Sequence, residues 1–250
     1  MMNFVVGEVF AVDKPYGWTS FDAVKRIRGA IQRRLGLKKF KVGHAGTLDP
    51  LATGVLIICT GKATRKIEEL QAGRKEYVAT LRFGATTPSY DLEKEIDAEY
   101  PYEHITPQLI EEALEQFRGN IMQVPPMFSA VKIDGKRAYK YARKGTEVEL
   151  KAKPVEISRL ELLDFDGRDA TLRIECSKGT YIRSLARDIG AALDSGAHLT
   201  ALRRTRVGQF GEREMMALDD AVKMIAETEI ETEENKQRPV SSQDDTEAER

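Results

Sequence analysis

The run Gly43-His44-Ala45-Gly46-Thr47-Leu48-Asp49-Pro50-Leu51-Ala52-Thr53-Gly54-Val55-Leu56 places one carboxylate, Asp49, in a segment crowded with glycine and followed directly by proline. Gly43 and Gly46 admit backbone angles that other residues avoid. Pro50 fixes its own φ and pushes Asp49 out of the helical region. The apolar stretch Val55–Cys59 follows almost at once and reads as a buried strand. A carboxylate on a stiff turn beside such a strand is well placed to act as a nucleophile. An unperturbed aspartate, with a pKa of about 3.9, is already ionised at neutral pH. Burial against a substrate would raise that value, so the chemistry calls for an opposing cation. Leu-Asp-Pro taken alone is equally an ordinary turn.

The fourteen-residue run as a whole resembles the signature of the TruB family, the tRNA pseudouridine-55 synthases, in which the Asp of G-H-x-G-T-L-D-P is catalytic. Further pieces follow in the family's order over roughly residues 7–218. Val12-Asp13-Lys14-Pro15-Tyr16-Gly17-Trp18-Thr19-Ser20 resembles D-K-P-x-G-x-T-S, and Lys75-Glu76-Tyr77 resembles the segment with the family's active-site tyrosine. Gln123–Lys132 resembles Q-x-P-P-x-x-S-A-x-K, and Gly179-Thr180-Tyr181-Ile182-Arg183 resembles G-T-Y-I-R. Ala197-His198-Leu199 through Arg203-Arg204-Thr205 closes the series. Several motifs in order are far more specific than any one of them.

The resemblance implies that Asp49 is the nucleophile, that Arg183 pairs with it, and that Tyr77 stacks on the target base and helps remove the C5 proton. It places His44 near a flipped nucleotide and Leu202 in the base pocket. Lys14 supports the catalytic loop and is grouped with the substrate-binding residues, as are Lys132 and Arg143 of the basic segment. Read without the resemblance, Tyr77 and Leu202 are equally core residues, His44 a polar loop residue, and Arg183 a surface arginine at a helix start. The implied reaction breaks an N-glycosidic bond, turns the uracil and rejoins it through carbon, with attack on base or sugar left open. It involves no redox step or group transfer, so no cofactor and no metal is expected. The three histidines and two cysteines show no zinc-like spacing.

The elements that must position these residues are legible as patterns. Ser20 reads as an N-cap, with Phe21, Val24, Ile27, Ile31 and Leu35 on one helical face and Gly36 as the stop. Thr106-Pro107 opens a second helix, with Leu109, Ile110, Ala113, Leu114 and Phe117 apolar and Gly119 at its end. Ile182, Leu185, Ala186, Ile189 and Leu193 mark a third. Tyr77, Ala79, Leu81 and Phe83 alternate as a half-buried strand does, as do Leu172, Ile174 and Cys176, and Leu160 with Leu162. Helices and strands mix without regular βαβ alternation, which predicts an α+β fold on a mixed, largely antiparallel sheet. The resemblance implies the pseudouridine synthase fold, with helices flanking the sheet and a central active-site cleft.

Composition sets the partner class. The 250 residues are 41% hydrophobic and 32% charged, as in ordinary soluble proteins, and no apolar run approaches the roughly 20 residues that span a bilayer. The start lacks the pattern of a secretory signal, and Cys59 and Cys176 read as buried free thiols, so cytoplasm is the expected compartment. The net charge of −1 conceals an asymmetry: residues 227–250 hold nine acidic and three basic residues, leaving +5 on residues 1–226. Basic residues cluster at Lys25–Lys41, at Lys132–Lys144 and at Arg203, Arg204 and Arg206. Three such patches favour a polyanionic partner. The expected organisation is a catalytic domain over 1–226, with an RNA-contacting insertion near 124–152, and an acidic, disordered tail over 227–250. The expected partner is the T arm of tRNA, with no membrane and no obligatory protein partner.

Two departures stand out. Thr87, Ser89 and Asp91 replace the family's T-x-T-x-D run, and Lys94 takes the place of a glycine. Too few residues follow Leu218 for a complete C-terminal PUA domain, so a standalone bacterial-type enzyme is expected. The alternative is a noncatalytic tRNA-binding or tRNA-folding protein on the same fold.

Overall fold

The apolar run after Asp49 forms the middle of a sheet. In a computed structural model, which describes residues 3–129, 132–133, 136–138, 141, 148 and 150–229, Ala52–Thr60 is strand β3 and is buried along nearly all its length. Its side chains alternate between two cores: Leu56 and Ile58 face one, Val55, Ile57 and Cys59 the other. A strand buried on both faces loses the polar alternation of a surface strand.

The other strands are β1 (Val9–Lys14), β2 (Val42–Ala45), β4 (Lys75–Phe83), β5 (Ala85–Thr86), β6 (Ala98–Glu99), β7 (Gly119–Gln123), β8 (Lys132–Ile133), β9 (Lys136–Arg137), β10 (Lys153–Phe165), β11 (Asp169–Cys176), β12 (Ala197–Val207), β13 (Phe210–Gly211) and β14 (Met215–Ala217). The helices are α1 (Ser20–Leu35), α2 (Ile67–Ala72), α3 (Pro107–Glu115), α4 (Ile182–Ala192) and α5 (Leu218–Glu227). One ten-stranded sheet runs β14-β1-β3-β12-β4-β11-β10-β7, with β2 beside β3 and β13 beside β12. Among the described residues, only β1–β14 and β3–β12 pair in parallel. The fold is α+β on a mixed, largely antiparallel sheet.

Helices α1 and α5 cover β1 and β3 through Val24, Ile27, Ile31, Ala221 and Ile225. Helices α3 and α4 cover the β4, β11 and β10 half, where Ile110, Leu114, Leu185 and Ile189 meet Leu81, Leu160 and Leu172. The alternation expected from Tyr77 to Phe83 and from Leu172 to Cys176 is present: these residues are buried and their neighbours are not. Among the described residues, no helix is long and apolar enough to cross a membrane.

The start of α1 differs from its sequence pattern. Thr19 is the N-cap, in a reciprocal capping box with Asp22, and Ser20 is the first helical residue. Ser20 turns its hydroxyl inward, whereas Phe21 points to solvent and leaves the apolar face to Ala23, Val24, Ile27 and Ile31. Gly36 closes the helix in the left-handed conformation, as expected. Gly119 opens β7 instead of ending α3, which stops at Glu115, and Leu109 lies exposed. Both exposed residues lie in the first turn of their helices. Glu227 is still helical, and the rest of the expected tail from 230 onward lies outside the described residues, as does most of the 124–152 insertion.

Gly54 shows how closely β3 and β12 approach. Its φ is +100°, and a Cβ there would lie 2.2 Å from the Arg204 carbonyl oxygen. Gly54→Ala is therefore expected to destabilise the fold by roughly 2–5 kcal/mol, combining backbone strain with overpacking. Chemical denaturation of the two proteins measures it.

Candidate active site

Asp49 sits on the turn between β2 and β3, where the chain leaves the sheet and its backbone loses ladder partners. Each carbonyl from Gly46 to Pro50 is nevertheless engaged. Arg204 donates to the Gly46 oxygen (3.0 Å) and the Thr47 oxygen (3.5 Å). The Ser20 hydroxyl accepts from the Leu48 amide (2.8 Å) and donates to the Leu48 carbonyl (3.1 Å). The Ala52 amide donates to the Asp49 oxygen, and the Gly17 amide to the Pro50 oxygen.

Lys14 completes this support. Its side chain is fully buried, and Nζ donates to the carbonyls of Pro15 (2.8 Å), Trp18 (2.6 Å) and Pro50 (3.1 Å). Three acceptors match the three protons of an ammonium. Burial pushes its pKa down to about 8, opposed by the Asp49 charge and reinforced by Arg204.

Arg183 faces the turn from the second residue of α4. Its Nε donates to Asp49 Oδ2 (2.8 Å) and its Nη2 to Oδ1 (3.2 Å), a bidentate pair. The same guanidinium donates to the carbonyls of Ser89 (3.2 Å) and Phe128 (3.0 Å), and Asp91 Oδ2 lies 3.7 Å from Nε. A cation in the first turn of a helix opposes the helix dipole, and the two carboxylates offset that cost. The arginine side chain is 5% exposed and the Asp49 side chain 38%, so the cation is sealed while the carboxylate stays open to a substrate. The approach to α4 is fixed by Gln123, whose side-chain amide accepts from the Tyr181 amide (2.8 Å) and donates to its carbonyl (3.1 Å). Ser184 Oγ ties the helix to the Val124 carbonyl.

These groups line a cleft of about 680 Å³, with Asp49, Tyr77, Tyr181, Arg183, Leu202 and Arg204 among its walls. That volume lies in the range of small-molecule sites. Tyr77 stands on β4 directly across from Arg204 on β12. Burial pushes its phenol above the usual tyrosine value, against the opposing pull of Arg204, so the resting hydroxyl is protonated. Tyr77 and Leu202 beside the part-exposed Asp49 carboxylate suit a flat, uncharged ring held against that carboxylate.

Residues 32–182 match the profile of the TruB family pseudouridylate synthase N-terminal domain, and residues 183–240 that of the tRNA pseudouridylate synthase B C-terminal domain. The chain belongs to the TruB family. It is 62% identical to the tRNA pseudouridine synthase B of Phocaeicola vulgatus over 230 residues, covering 92% of this chain and 98% of that protein. The Bacteroides thetaiotaomicron protein of the same name is 61% identical over 238 residues, with 94% and 99% covered. Among solved structures, a chain of a Cbf5-Nop10-Gar1 complex superposes with a TM-score of 0.67 at 33% identity, over 88% of this chain and 54% of the other.

Within this TruB-family cleft the structure brings together Asp49, Tyr77, Arg183 and Leu202. Of the other four residues singled out from sequence, Lys14 and His44 do not line the cleft. Lys14 cannot meet a substrate: it lies buried behind the turn with its protons on carbonyls. His44 stands on β2, is not among the residues lining the cleft, and has a buried Nδ1 with no hydrogen-bond partner. Burial, reinforced by Arg204, lowers its pKa and favours the neutral ring. Arg143 lies outside the described residues, and Lys132 is described only as backbone in β8. The basic cluster at the end of β12 also divides. Arg204 is buried under the turn, Arg203 pairs with Asp13 and Glu212, and only Arg206 is exposed.

Sequence reasoning missed Ser20, Asp91, Gln123 and Arg204 as site-forming residues. Period-two alternation along β12 was the available signal for Arg204, since neighbours on a strand face opposite ways. Arg183→Met is expected to leave Asp49 and Asp91 without their shared cation and to cost about 2–4 kcal/mol in urea unfolding, less than for a fully buried pair because Asp49 is part-exposed. Lys14 binds fewer protons folded than unfolded between pH 8 and 10.5, so its contribution to stability rises with pH across that window. Lys14→Met is expected to flatten that rise in denaturation curves taken from pH 7.5 to 10.

Proposed function

We propose that this chain isomerises uridine 55 in the T loop of tRNA to pseudouridine in the cytoplasm, with Asp49 as the nucleophile. The observation that carries this is the bidentate Arg183–Asp49 pair at the mouth of the cleft, with the carboxylate outward. The family match supplies the reaction class, and the names of its relatives supply tRNA as substrate.

The target uridine is turned out of the folded loop so that its ring enters the cleft. Tyr77 supplies the apolar face on which the ring stacks, and Leu202 packs beside it. Asp49, held in place by Arg183, attacks the nucleotide at C6 of the base or C1′ of the sugar. The N1–C1′ bond breaks, the uracil turns, a C5–C1′ bond forms, and the bond to Asp49 breaks so that the free carboxylate returns. C5 then loses its hydrogen as a proton, and N1 gains one. The reaction is an intramolecular transfer in which no electrons leave the substrate, and its steps use only these side chains and water. Exposed Lys25, Arg26, Lys38 and Lys39 on and after α1 offer charge to the phosphates of the stem.

Tritium release from [5-³H]uridine-labelled tRNA transcript tests the reaction, with a transcript carrying cytidine at the target position as the control. Release is expected from the first and not from the second at that site. Asp49→Asn is expected to bind the transcript while losing at least about 1,000-fold in turnover. Retained activity would remove Asp49 as nucleophile, and tight binding without release by the unaltered chain would favour a noncatalytic RNA-binding role.

A further inference from the structure

Three large aromatic side chains lie exposed within six residues of one another on the turn from β1 into α1. Tyr16 is 59% exposed, Trp18 38% and Phe21 55%. Exposed apolar side chains scattered singly need no explanation, but a cluster on a rigid turn marks a contact surface. This turn is rigid. The Lys14 ammonium holds the carbonyls of Pro15 and Trp18, the Gly17 amide donates to Pro50, and the Thr19–Asp22 capping box fixes the entry to α1. Gly17 takes a left-handed φ of 78° with open space around it, which lets the turn project.

The turn is also tied to the nucleophile. Lys14 Nζ reaches Pro50, the residue after Asp49, from the same nitrogen that holds Trp18. The aromatic surface therefore keeps a fixed position relative to Asp49. Its flank is cationic: Lys25 Nζ lies 5.7 Å and the Arg28 guanidinium 5.8 Å from the centre of the Phe21 ring. Flat apolar faces beside positive charge are complementary to nucleobases joined by phosphates. An apolar protein partner would gain nothing from the flanking cations.

We infer that Tyr16, Trp18 and Phe21 form a stacking platform for unpaired bases of the RNA substrate, distinct from the pocket that takes the target uridine. This rests on the function proposed above. The platform acts before the chemistry: it captures bases beside the target and sets the register of the loop over Asp49. Its loss should weaken productive binding more than turnover.

Trp18 is the only tryptophan in the chain, so its emission reports on the platform directly. The full chain is titrated with an unlabelled T-arm stem-loop RNA for emission, and separately with an end-labelled copy for anisotropy. Emission is expected to be quenched with the same midpoint as the anisotropy change. Tyr16→Ala and Trp18→Ala are each expected to raise KM roughly tenfold, with kcat changed less than about twofold, and Trp18→Phe to restore KM. RNA binding with unchanged emission, or a quench with wild-type KM in both alanine variants, would overturn the platform and leave the proposed reaction standing. An emission change with protein concentration and none with RNA would replace it with a self-association face. Absence of any RNA binding would overturn both readings.

Discussion

Unsatisfied backbone polarity is the constraint around which the site is arranged. The turn from Gly46 to Pro50 must leave the sheet to present Asp49, and in doing so it gives up the ladder that would satisfy its carbonyls. A buried carbonyl without a donor costs about 1–3 kcal/mol. The chain meets this with donors from three separate elements: Lys14 at the end of β1, Ser20 at the start of α1 and Arg204 on β12. The turn is thus a product of the tertiary fold more than of its own glycines. Two of these donors are cations, and they share the region with Arg183.

The second constraint is the burial of Arg183. A guanidinium sealed at a helix start requires acceptors on several sides. Asp49 supplies two, Ser89 and Phe128 one carbonyl each, and Asp91 a second negative charge. The segment around Thr87, Ser89 and Asp91, a departure from the family's pattern, is part of this wall. Thr87 and Ser89 both donate to the Asp91 carbonyl, and this holds the loop against the arginine.

The sheet strands and α4 were legible because their periodicity is strong and their burial one-sided: Tyr77 to Phe83, Leu172 to Cys176, and Ile182 to Ile189. That Asp49, Tyr77 and Arg183 share one cleft was legible through motif order, not through spacing, since the three meet only in space. What was not legible depends on tertiary partners. Ser20 looks like a cap because serine caps helices, yet Thr19 takes that task and frees Ser20 for Leu48. Arg203 and Arg204 look alike in a row of basic residues, but strand geometry sends one to a pair of surface carboxylates and the other under the catalytic turn. Lys14 was legible through its motif as a support of the turn, whereas the three carbonyls that converge on it were not.

The Asp49–Arg183 pair joins residues 134 positions apart, and the arginine under the turn is 158 positions beyond the glycine it supports. At typical rates of synthesis the carboxylate leaves the ribosome on the order of ten seconds before its cation. During that interval Asp49 is an ordinary turn aspartate with neither pocket nor counter-charge. The cleft gains its last wall only when β12 takes its place between β3 and β4 and brings Arg204 under the turn.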